Sequence, residues 1–145
     1  MDRQSRKITA LYGRLAHYHN DADTQSAYTQ METLLQYAKE HSFENPQFFC
    51  DWGYNGTDDV RPEYLRMLKA VVSGNVKNLV VLEFSRLGRD FEEVWKLING
   101  TFPHYGVTFH SIQDGEELSK NLDTLRRLGI SFERACRLVE EGGRK

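Results

Sequence analysis

Cysteine is scarce in this chain. Cys50 and Cys136 are the only two in 145 residues, far apart and without the paired spacing of a zinc site or a disulfide framework. Long apolar runs are missing as well. No stretch approaches the roughly 20 residues that a membrane span needs, and the opening MDRQSRKITA has no apolar signal segment. Together these absences predict a cytoplasmic protein with no membrane partner, no metal site and no disulfide. Nor is there a basic excess. A net charge of −2 argues against a free-standing DNA-binding protein. The imbalance is uneven, with 12 Lys and Arg against 17 Asp and Glu over residues 1–117, and 7 against 4 over 118–145. Any nucleic-acid contact therefore has to be local or supplied by other sequence.

What is present is ordinary globular material, 39% apolar and 28% charged, enough for one domain with a real core. Residues 7–13, KITALYG, form a strand candidate, followed by the polar loop HYHNDADTQ. Ser26 is a plausible N-cap for a helix whose apolar face is Ala27, Met31, Leu34, Leu35 and Ala38, ending near His41. QFFCDW reads as the second strand, and residues 53–59 are turn chemistry throughout. Arg61 should be extended because Pro62 follows it, and Pro62 opens a helix with Leu65, Leu68, Val71 and Val72 inward, stopping at Ser73-Gly74.

Leu79-Val80-Val81-Leu82 is a continuous apolar run, the pattern of a strand buried on both faces of a parallel sheet. A helix from Asp90 follows, with Phe91, Val94, Leu97, Ile98 and Phe102 on one side and Pro103 as its breaker. VTFHSIQ supplies a fourth strand. This βαβαβαβ order with short connections predicts a three-layer α/β/α fold around a mostly parallel sheet. Two helices are expected over 118–128 and 131–141, separated by Gly129 and forming a C-terminal segment distinct from a domain of residues 1–117.

In a parallel sheet the strand ends share one edge. Arg14, Arg61, Arg86 and Arg89 are thus expected to converge there, and such a group of guanidinium forks suits a phosphate-like anion. The bland alternative is a set of solvated arginines. For His17-Tyr18-His19 a solvated loop is favoured over a metal pair, and for Trp52 and Tyr54 half-buried loop aromatics over base-stacking platforms.

The segments YGRLA, Ser26 to Gln30, DWGYNGT with Arg61-Pro62, SRLGRD and Asp114-Gly115, in this order, resemble the catalytic domain of the serine recombinases (resolvase/invertase family), especially the transposon-type large enzymes. The resemblance implies a resolvase-like fold and metal-free DNA strand exchange through a 5′-phosphoserine intermediate. It also implies double-stranded DNA as partner, a homodimer or tetramer on that DNA, and no cofactor. It assigns phosphate-clamping and DNA-binding roles to Arg14, Arg86 and Arg89, with Arg61 beside them. Gln30 and Asp51 are supporting catalytic residues, and Ser85 stands where resolvases often carry aspartate. The family nucleophile falls on Ala16, which has no hydroxyl, so the form given lacks its attacking group. A non-catalytic dimerisation or regulatory module of a mobile element is the alternative. A flavodoxin-like nucleotide-binding domain ranks last, because Tyr12-Gly13-Arg14-Leu15 is no glycine-rich phosphate loop.

Overall fold

A computed structural model describes residues 7–54, 60–88 and 91–113. The described elements are β1 (Ile8–Leu15), α1 (Asp21–Glu40), β2 (Pro46–Trp52), α2 (Pro62–Val72), β3 (Val76–Val81), a 3-10 turn at Phe84–Arg86, α3 (Phe91–Lys96), a π turn at Leu97–Thr101, α4 (Phe102–His104) and β4 (Thr108–Ser111). All strand pairs are parallel, in the order β2-β1-β3-β4. The chain therefore reverses its direction of growth between β1 and β3, and in open α/β sheets that is where ligands bind. The helices expected over 118–128 and 131–141 lie outside the described residues.

Strand alternation divides the core. Ala10, Tyr12, Leu79 and Val81 join Tyr64, Met67 and Val71 of α2, and Val94 and Phe102, on one face; Leu11 and Val80 meet Leu34 and Ala38 of α1 on the other. β3 is thus apolar on both faces, as its unbroken run demands. Each fully buried side chain of this size contributes about 1.5–3 kcal/mol of transfer free energy.

Three local expectations need correction. Helix α1 begins five residues before Ser26, with Asn20 as its cap: Asn20 Oδ1 accepts the Asp23 N–H at 2.8 Å, and the Asp23 carboxylate accepts the His19 N–H at 2.8 Å. Residues 21–26 are exposed or half-buried, so they carry no apolar stripe for periodicity to detect. In α2 the inward face is Tyr64, Met67 and Val71, while Leu65 and Val72 are 48% and 51% exposed. Tyr64 takes the inward place, 5% exposed, with its ring edge-on to Tyr12 at 5.7 Å. Pro103 does not break its helix. The chain passes through the π turn, where the Phe102 N–H reaches back to Leu97 O, and continues to His104. A wide turn accommodates the proline ring and its missing donor, and it keeps the fully buried Phe102 stacked 5.7 Å from Phe109.

Candidate active site

β1 is longer than its neighbour β3 at the C-terminal edge. Pairing with β2 runs to Arg14↔Asp51 and Leu15↔Trp52, whereas pairing with β3 stops at Tyr12↔Val81. Beyond that point the backbone of Arg14 has no strand on its β3 side, and a buried N–H and C=O need other partners. Gln30 of α1 supplies them: its Oε1 accepts the Arg14 N–H at 3.0 Å, and its Nε2 donates to Arg14 O at 3.3 Å. The side-chain amide replaces a missing strand. Gly13 makes this approach possible, since a Cβ there would sit 3.0 Å from Gln30 Oε1 and 3.0 Å from the Trp52 ring.

Arg86 completes the edge by donating from Nη1 to Arg14 O at 2.6 Å. In return, the Arg14 guanidinium donates to Arg86 O at 3.2 Å, Ser85 O at 2.6 Å and Tyr54 O at 3.3 Å. Each arginine holds the other's backbone. Arg61 adds a third grip, from Nη1 to Arg86 O at 3.3 Å and from Nη2 to Leu87 O at 2.8 Å, with its guanidinium 3.8 Å above the Tyr64 ring. The three carbonyls of the 85–87 turn are all taken by buried arginine side chains.

Asp51 organises the other side of the cluster. Its carboxylate accepts the Glu63 and Tyr64 N–H groups at 2.9 Å each, capping α2 from a neighbouring strand, and the Tyr12 hydroxyl at 2.8 Å. The Tyr12 oxygen accepts in turn from Arg61 Nη1 at 3.1 Å. The phenol bridges carboxylate and guanidinium. Burial pushes the Tyr12 hydroxyl far above the ordinary tyrosine range, against the pull of Arg61, so it stays a donor to Asp51 at any working pH. Burial likewise pushes the Cys50 thiol up to about 12, which leaves it a poor nucleophile although the residue is only half-buried.

Arg14, Arg61, Arg86, Asp51, Gln30 and the Ser85 carbonyl are therefore gathered into one network. Ala16 follows the end of β1 at a bend and is half-buried, outside the core. Arg89 lies outside the described residues, as do residues 55–59. The clustered arginines need no bound anion to sit together. Arg14 and Arg61 are 5% and 4% exposed, and their mutual repulsion is offset by backbone carbonyl dipoles and by Asp51. Two residues of the network were given no role from the sequence: Tyr12, which entered as a strand former and as the first residue of the YGRLA segment, and Glu83, whose Oε1 lies 3.0 Å from Arg86 Nη2. For Tyr12 the signal was available, because strand alternation places it on the face of Arg14. His17, Tyr18 and His19 are exposed, and among the described residues no three His, Cys, Asp or Glu side chains gather to hold a metal ion. Among the same residues no helix is long and apolar enough to cross a membrane.

Comparison with known proteins bears on this geometry. No curated protein sequence matches the chain significantly. Among solved structures it is similar to the N-terminal catalytic domain of TP901-1 integrase, with a TM-score of 0.72, 19% identity, and coverage of 85% of this chain and 96% of that one. It is also similar to a resolvase family site-specific recombinase from Streptococcus pneumoniae (TM-score 0.66, 20% identity, coverage 94% and 95%). A third is the C-terminal catalytic domain of ISC1926 TnpA, an IS607-like serine recombinase (0.63, 17%, 94% and 96%). At these identities the likeness shows the fold alone. The family model described as "Resolvase, N terminal domain" matches residues 9–141, nearly the whole chain, and the chain belongs to that family of serine recombinase catalytic domains.

Proposed function

We propose that this chain is the strand-exchange domain of a site-specific DNA recombinase, with position 16 as the place of the attacking group. The single observation that carries the reading is the reciprocal hold of Arg14 and Arg86 at the reversal point of the sheet, with Arg14 two residues before Ala16 in the chain. In the reaction proposed, a hydroxyl at position 16 attacks the scissile phosphorus, the P–O3′ bond breaks, and the 3′ oxygen leaves with a proton. The ester formed with the protein conserves the phosphodiester bond energy, so the return step needs no ATP. Fixed guanidinium groups stabilise the charge that develops on the phosphorane oxygens. Arg86, Arg14 and Arg89 are the proposed phosphate ligands, with Arg61, Gln30 and Asp51 holding them and Ser85 in the turn that presents them. The partner is double-stranded DNA, bound by a homodimer or tetramer.

Ala16 favours a second reading, a non-catalytic dimerisation or regulatory module of a mobile element that keeps the scaffold without the chemistry. The two readings separate on one experiment. Ala16→Ser in the full-length protein, incubated with its recombination site, is expected to give a denaturant-resistant protein–DNA adduct linked through the 5′ phosphate. No adduct with a folded Ala16→Ser protein on a bound site leaves only the module.

A further inference from the structure

Glu83 and Arg86 are held together by the turn that follows β3. Glu83 is extended (φ −154°, ψ 159°), and the Arg86 N–H closes the 3-10 turn onto Glu83 O at 3.0 Å. The turn brings these two side chains, three residues apart, to one side. Phe84 and Leu87, 0% and 1% exposed, anchor it in the core. The carboxylate and guanidinium thus meet at 3.0 Å by construction, with side chains 18% and 20% exposed. Arg86 Nη1 is engaged by Arg14 O, and its buried Nε has no partner among the described residues. Nη2, the side facing Glu83, is therefore the part of the fork already occupied by an anion.

Carboxylate and phosphate accept the same parallel pair of N–H donors from a guanidinium, so they exclude one another at one edge of it. We infer that Glu83 is an internal stand-in for phosphate, restraining Arg86 until a DNA phosphodiester displaces its carboxylate from Nη2. This rests on the recombinase reading of the arginine network. It makes Glu83 a positioning residue that lowers resting affinity for the DNA backbone and keeps the half-buried guanidinium compensated when no DNA is bound. At this depth solvent screens the pair only partly, so the competition is felt in binding.

The test measures binding of a fluorescein-labelled duplex oligonucleotide to the full chain by anisotropy, at constant salt. Glu83→Gln is expected to tighten binding by about three- to tenfold, the range spanned by a partly buried ion pair. Glu83→Ala, which cannot hydrogen-bond Arg86, should do the same, with thermal melting confirming that both variants fold. Glu44→Gln makes the same charge change in the connection before β2, at the opposite end of the strands, and is expected to shift binding less than about twofold. In an Arg86→Gln background the gain from Glu83→Gln should vanish. Equal gains from the Glu83 and Glu44 variants, or a gain that survives without Arg86, overturn the inference. So does an absent gain while wild-type binding still depends on Arg86, and that outcome spares the recombinase reading. Binding that ignores Arg86 altogether overturns both.

Discussion

Gly13 is the residue whose size the site tolerates least. Its missing side chain is the space through which Gln30 reaches the Arg14 backbone, with Trp52 closing the other side. Gly13→Ala is therefore expected to lose about 1–3 kcal/mol, the usual cost of overfilling a packed site, measured by urea unfolding. Loss below the error of that measurement would mean that Gln30 moves without penalty and is no surrogate strand. Arg14 and Arg61 look from sequence like forks for a ligand. In the fold they are buried donors to carbonyls of residues 54 and 85–87, and their first task is to shape the turn that carries Ser85 and Arg86.

At the scale of elements, α2 is the best example of a helix set by its neighbours. Its cap residue, Arg61, makes no side-chain cap bond; the capping carboxylate comes from Asp51 on β2. Asp51→Asn has one acceptor oxygen where two N–H groups and a phenol need two, and it removes the buried charge facing Arg61. An expected loss of about 2–4 kcal/mol follows, with α2 amides losing hydrogen-exchange protection first. The same helix offers a contrast in packing. Met67→Ala should cost about 2–5 kcal/mol, because Met67 is 0% exposed, whereas Leu65→Ala at 48% exposure should stay within about 0.5 kcal/mol. Comparable losses at the two positions in urea melts would show that the inward face is the one periodicity suggested, with Leu65 in the core.

For the molecule as a whole, the α1 side of the sheet carries a pH-sensitive element at its β4 edge. His110 packs against Phe43 and Tyr37 and has its Nε2 3.1 Å from Asn78 Oδ1. Burial, reinforced by nearby His41, lowers its pKa below the ordinary histidine value. The unfolded chain therefore takes up this proton before the folded one. The stability concerned is fully present above the unfolded histidine pKa, about 6.5, and is lost as pH falls below it. Urea midpoints compared at pH 7.5 and 5.5 should fall for the wild type, and fall less for His110→Gln. An equal decline in both proteins would assign the effect to other groups.

The amino-acid order by itself determined the alternation of strands and helices, the two-sided burial of β3, and the meeting of Arg14, Arg61 and Arg86 at one edge. These follow from local periodicity and from short connections, which force parallel strands and put their ends together. The start of α1, residues 21–26, was legible only through Asn20 and Asp23, because none of those six residues is buried. What only the tertiary structure decided is where the guanidinium groups point. That depends on β1 running three residues past its pairing with β3, a long-range offset that leaves the Arg14 backbone without a strand partner on its β3 side. Buried donors need acceptors, and for the Arg14 guanidinium those include carbonyls of a turn 71 and 72 residues away in the chain.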